Sequence, residues 1–173
     1  AGVKGVSTDK PIEARLSDVD EMIEECEKRN IVFAGGNLQR AIGEVQEAAR
    51  WLRAGDYGEL RGASVHGWGG EISGGGCQHI AVLRLFTNAE ISEVTAWGMP
   101  QEALEKDDDE GLMINAQFQL SSGLSCPVFG AATPQRGVDV WTDDALIRWD
   151  WGPPEIYQGF DEQGARVKID RPY

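Results

Sequence analysis

Two residues in this chain have the type and setting to hold a charge in place or move a proton. Lys10 sits in Asp9-Lys10-Pro11, directly after a short apolar run. Pro11 fixes its own backbone and holds Lys10 in an extended conformation, which can aim an ammonium group from the end of a strand. The same lysine also reads as an ordinary surface side chain. His79 is one of two histidines and follows a segment, Gly67 to Gly76, with six glycines in ten residues. Its position in the first turn of a predicted helix would let a neutral imidazole serve as general base toward a hydroxyl. The positive end of that helix would lower its pKa. The other reading of His79 is a structural, hydrogen-bonded histidine. His66 lies in mid-strand with no evident catalytic companion.

Other chemistries find little support. Cys77 and His79 would diverge on a helix, so with His66 they do not make a zinc site. Glu105 to Glu110 is dense in carboxylates but lacks the glycine and alternate spacing of a calcium loop, and reads as a solvated loop. There is no GxSxG, no Walker A motif and no HExxH. No GxGxxG occurs despite 22 glycines, because the run Gly74-Gly75-Gly76 meets His79 where a further glycine is required. Cys26, Cys77 and Cys126 form no CxxC pair, which points away from a zinc ribbon or redox dithiol and toward a reducing, cytoplasmic compartment.

The elements that must position these residues change character along the chain. Ser17 is a suitable N-cap, with Asp20 three residues on. Val19, Met22, Ile23 and Cys26 then recur at helical spacing over Asp18 to Arg29. Ile31 to Ala34 reads as a buried strand. Val45, Ala48, Ala49 and Leu52 form the apolar stripe of a helix from Ala41 to Ala54, stopped by Gly55. Leu60 to Trp68 is a strand, and Cys77 to Phe86 a third helix. Five further strands follow without helices between them: Ile91 to Trp97, Met113 to Leu120, Leu124 to Ala131, Val138 to Trp141 and Leu146 to Trp151. That order predicts an α+β fold with an antiparallel meander. The alternation of Val138 and Val140 with Asp139 and Trp141 predicts a sheet with two unlike faces. Trp68, Trp97, Trp141, Trp149 and Trp151 either pack against the helices or form a subunit interface. The second is favoured, because so few helices cover one face only.

With 173 residues the chain can bury a substantial core. Its net charge of −13 and pI near 4.5 disfavour nucleic acid and anionic membrane surfaces as partners. No apolar run reaches the length of a membrane span, and the N-terminus lacks the pattern of a signal peptide. The absence of an initiating methionine leads us to expect a processed chain or a piece of a longer one.

Several segments, in order, resemble the glucose–fructose oxidoreductase, inositol dehydrogenase and MocA (Gfo/Idh/MocA) family. They are Asp9-Lys10-Pro11, a helix ending Cys26-Glu27-Lys28, the strand from Ile31 to Gly36 running into Asn37, and a helix ending Leu52-Arg53-Ala54-Gly55. Gly58-Glu59-Leu60-Arg61-Gly62 and the glycine loop leading to His79 complete the set. The match spans roughly residues 1–151, while Gly152 to Tyr173 is less distinctive. The resemblance implies a Rossmann domain binding NAD or NADP, followed by an open, mostly antiparallel sheet domain like that of dihydrodipicolinate reductase. In this chain residues 1–36 would be the tail of the first and 37–173 the second.

By the same resemblance Lys10 corresponds to the lysine of the family's Glu-Lys-Pro motif, with Asp9 in place of the glutamate. Lys10 and Pro11 would then lie against the cofactor. His79 corresponds to the proton-accepting histidine of an Asp-x-x-x-His motif, in which the aspartate is here Gly75. Asn37, Arg40, Trp68 and Gly75 would line the substrate. The family's asparagine–arginine segment is altered here to Asn37-Leu38-Gln39-Arg40. The expected function is the substrate-binding half of an NAD(P)-dependent sugar or polyol dehydrogenase, truncated, inactive alone and not binding the dinucleotide by itself. Its ligand would be a carbohydrate or polyol, and the sheet would pair subunits into a homodimer or larger. A stand-alone, non-catalytic sugar-binding or dimerisation module is the alternative.

Overall fold

The structure, a computed structural model, describes residues 2–13, 15–67, 72–99, 113–130 and 135–171. Trp68 and the acidic run 105–110 lie outside them. The chain opens with Gly5–Thr8 (β1), Leu16–Lys28 (α1) and Val32–Gly35 (β2). β1 and β2 pair in parallel, Gly5 opposite Val32 through Thr8 opposite Gly35. The expected strand is therefore present but not buried: Val32 is 71% exposed. Its ladder has two strands, so among the described residues nothing encloses it as parallel strands usually are. α1 likewise buries no residue. Its N-cap is Arg15 rather than Ser17, whose hydroxyl instead donates to Asp18 Oδ1 at 3.2 Å.

The single helix expected from Ala41 to Ala54 is two. Leu38–Ala41 (α2) is capped by Asn37, whose Oδ1 accepts from the Gln39 amide at 3.0 Å. Ile42 is extended, and Gly43–Ala54 (α3) begins afresh. Gly55 ends α3 in the left-handed conformation at φ 73°, its amide and that of Asp56 bonding Leu52 and Trp51 carbonyls at 3.2 Å. Val45, Ala48 and Ala49 of the predicted stripe are fully buried.

An eight-stranded sheet makes up the rest. Its strands are Leu60–His66 (β3), Ile91–Met99 (β4), Met113–Leu120 (β5), Ser125–Phe129 (β6), Gly137–Thr142 (β7), Leu146–Trp149 (β8), Glu155–Phe160 (β9) and Arg166–Ile169 (β10). Their order is β10-β9-β8-β7-β3-β6-β5-β4. The meander is thus split in two around β3, which runs antiparallel to β7 and parallel to β6. The tail that looked undistinctive supplies β9 and β10. It returns to α3, where the Arg171 guanidinium lies 4.5 Å over the Trp51 ring and donates to Tyr57 at 2.7 Å.

Strand alternation gives the sheet its two faces, as expected. Ala63, Val65, Cys126, Val128, Val138, Val140, Ile147 and Trp149 point to one side and are buried. A turn of π-helix at Ile72–Gly76 leads into Cys77–Thr87 (α4), which packs on β3 and β7 with α3 beside it. Val82, Leu83 and Phe86 complete this core. The opposite face carries Ser64, His66, Thr95, Trp97, Asn115, Phe129, Asp139, Trp141 and Arg148, and no helix covers it among the described residues. A Cβ at Gly62 would collide with the Trp141 ring, so this glycine is what lets the indole lie flat across β3.

Candidate functional site

The βαβ unit of β1, α1 and β2 meets the sheet domain where α4 begins. Half-buried Lys10 follows β1, joined to Pro11 by a cis peptide bond. From the end of β2, Asn37 Nδ2 donates to the Cys77 carbonyl at 3.4 Å. Burial pushes the Cys77 thiol up, and the Lys10 ammonium acts the other way, helped by local backbone hydrogen bonds, while Asp9 adds to the rise. Asn37 thus touches the head of α4, and the Lys10 charge is near enough to act on the Cys77 thiol. Pro11, next to Lys10 in the chain, is exposed. Arg40 is exposed, and its charge acts on Glu90, which also pairs with Arg84 at 2.5 Å. Trp68, expected at this site, lies outside the described residues.

His79 lies in the first turn of α4 and has no exposed surface. It does not sit at a free helix N-terminus, because the π turn continues into α4 through Gly76 in the helical conformation. Its pKa is lowered, as expected from its helical position, but chiefly by burial; the Gly75 carbonyl and Asp150 oppose the shift, and Arg136 and His66 add to it. Nδ1 is 2.9 Å from the Gly75 carbonyl oxygen. A carbonyl only accepts, so Nδ1 carries the proton and Nε2 presents its lone pair. Gly75, which offers no side chain, thus sets the tautomer through its backbone. Trp149 and Trp151 stand edge to face with the imidazole, each with ring centroids 5.4 Å away. These two tryptophans were not expected beside His79. They end the strand predicted to reach Trp151, which stops at Trp149 because Trp151 turns to φ 59°. Their sequence signal was aromatic bulk alone, which also fits an interface.

A second group lies on the uncovered face. His66 Nε2 is 2.7 Å from Ser64 Oγ and 3.8 Å from Asp139 Oδ2. Arg148 holds the Asp139 carboxylate in a fork, Nε to Oδ1 at 2.8 Å and a terminal nitrogen to Oδ2 at 2.7 Å. Phe129 stacks on the imidazole at 5.5 Å. Burial lowers the His66 pKa against the pull of Asp139, with Arg148 adding to the fall. His66 was read as lacking a companion; Ser64, two residues before it on the same strand face, could have been found from the period of a strand, whereas Asp139 comes from another strand and could not. A groove of about 1000 Å³ further along this face, between Trp141, Leu146, Tyr157, Phe160 and Arg166, includes neither Lys10 nor His79.

The described residues contain no group of three or more His, Cys, Asp or Glu that could hold a metal. They also fit a dinucleotide poorly. The turn from β1 to α1 has no glycine, and the first turn of α1 carries Asp18, where a pyrophosphate would need bare amides and positive potential.

The open, mostly antiparallel sheet, the helices on one face and the N-terminal βαβ unit make a fold that this chain shares with solved oxidoreductases and with Gal80p. The chain resembles aldose–aldose oxidoreductase from Caulobacter crescentus complexed with glycerol, with a TM-score of 0.73 and 18% identity over 98% of this chain and 57% of that one. It resembles an oxidoreductase from Agrobacterium radiobacter in complex with NAD+, L-tartaric acid and magnesium, with a TM-score of 0.66 and 17% identity over 95% of this chain and 53% of that one. The super-repressor mutant of Gal80p from Saccharomyces cerevisiae gives 0.74 and 12%, over 96% and 53%. The chain thus spans little more than half the length of these proteins. No family profile and no curated protein matches at the sequence level. Among the described residues no helix is long and apolar enough to cross a membrane.

Proposed function

We propose that this chain is the substrate-binding and subunit-pairing part of a Gfo/Idh/MocA-type NAD(P)-dependent oxidoreductase acting on a carbinol carbon of a sugar or polyol. The observation that carries the reading is the approach of Asn37 and of the Lys10 charge to Cys77 at the head of α4, two residues before a histidine whose Nε2 lone pair is free. In this reading residues 1–36 are the last part of a nucleotide-binding domain, and 37–173 hold the substrate. Lys10 bonds the substrate hydroxyl oxygen and favours its alkoxide, and His79 Nε2 takes the proton. Asn37, Arg40, Trp68 and Gly75 border the substrate. Lys10 and Pro11 would lie at the edge of the dinucleotide, which when bound would supply the hydride acceptor. Trp97, Phe129 and Trp141, which are 57%, 50% and 38% exposed, form the centre of a homodimer contact on the uncovered face.

Calorimetric titration of the purified chain tests this. Glucose or inositol should bind weakly, with the Lys10→Ala variant about tenfold weaker, the loss of one charge-assisted hydrogen bond. NAD and NADP should bind no more tightly than about millimolar. Micromolar dinucleotide binding, or sugar binding indifferent to Lys10, overturns the reading.

The alternative is a non-catalytic sugar-binding or dimerisation module. Gly75 in place of a carboxylate favours it, as does the likeness to the transcriptional regulator Gal80p. Sugar binding retained in a His79→Gln variant, with no alcohol oxidation in the full assembly, would select it.

A further inference from the structure

His79 and Trp149 are both wholly buried, yet each has one nitrogen, His79 Nε2 and Trp149 Nε1, with no hydrogen-bond partner among the described residues. Such groups are costly to fold when left unsatisfied, so they ordinarily mark a partner. The two are complementary. Nε2 accepts only, because Nδ1 donates to Gly75. The indole Nε1 donates only. They do not bond each other, although the rings stand edge to face at 5.4 Å. A group that donates and accepts through one atom satisfies both, and that group is a hydroxyl.

We propose that His79 and Trp149 form a two-point cradle for a single hydroxyl oxygen, which accepts from Trp149 Nε1 and donates to His79 Nε2. Water fills it in the resting protein, and the alcohol of a polyol displaces that water. Trp151 is the gate. It packs on both rings, 5.4 Å from His79 and 5.2 Å from Trp149, and is the one of the three with exposed surface. Its backbone sits at φ 59°, a conformation costly for a bulky residue, with Gly152 next in the chain. The cradle makes Trp149 a positioning residue that orients the hydroxyl whose proton His79 would take. The inference rests on the polyol reading for the identity of the alcohol, and on the two unpartnered nitrogens for the cradle itself.

The test is proton–nitrogen spectroscopy on the chain with labelled tryptophan and histidine. The Trp149 indole signal is assigned by its loss in Trp149→Phe, or from its contact with His79 if that variant does not fold. In the resting protein this N–H should show a cross-peak to a long-lived water. Adding glycerol should move it downfield saturably and remove the water cross-peak, and Trp151→Ala should speed that exchange. A water cross-peak untouched by molar glycerol keeps the cradle and refutes its use for a polyol. Neither water nor glycerol at this N–H overturns the cradle. Both results are independent of whether Lys10 governs sugar affinity.

Discussion

The imidazole of His79 is enclosed by Trp149 and Trp151 and tethered through Nδ1 to Gly75, and enclosure is the main reason its charged form is disfavoured. His66 is shifted in the same direction, also chiefly by burial. Both folded pKa values lie below the ordinary 6.5. As pH falls through 6.5 the unfolded chain takes up protons that the folded chain refuses. The contribution is therefore complete above that value and is lost as pH drops toward the folded pKa values. The urea midpoint should decline from about pH 7 to about pH 5, and His79→Gln should remove part of the slope. A midpoint independent of pH over that interval would contradict the burial of both rings.

Among the elements, α3 and the β7–β8 pair carry contrasting kinds of stability. Gly55 ends α3 at φ 73° with open space where a Cβ would stand. Gly55→Ala should therefore cost about 1 kcal/mol in denaturant unfolding, from backbone conformation alone. Asp139 is 6% exposed and owes its charge balance to Arg148 on the neighbouring strand. Arg148→Met should cost about 3 kcal/mol, because it strands a buried carboxylate. The double variant Asp139→Leu with Arg148→Met should recover most of that loss, since a pair of apolar side chains leaves no charge uncompensated. Failure of the double variant to recover would mean that the network with Ser64 and His66, rather than the ion pair, holds these strands.

At the scale of the molecule, protection should be graded. The ladder of β1 and β2 has two strands, and α1 has no buried residue, whereas β3 and β7 lie mid-sheet under α4. Hydrogen exchange at the β1 and β2 amides should be at least about a hundredfold faster than at β3 and β7. Equal protection would show that something covers the first unit. On the uncovered face, Phe129→Asp should convert a sedimenting dimer to a monomer without loss of folded signal, because the ring is half exposed in the single chain. A species that sediments as a monomer before any substitution sinks the pairing surface.

Periodicity and punctuation were enough to read the α+β class, the stripe on α3, the stop at Gly55 and the two unlike sheet faces, because each depends on residues a few positions apart. Residue type and setting singled out Lys10 and His79, and resemblance added Asn37. What no local pattern carries is which strand lies beside which. The insertion of β3 between β7 and β6 brings Asp139 to Ser64 and His66, and the packing of α4 on β7 and β3 sets Trp149 and Trp151 around His79. Those contacts join residues 70 or more positions apart in the chain. Their energy comes from burying surfaces that meet only when the whole sheet has formed, so tertiary structure alone decided them.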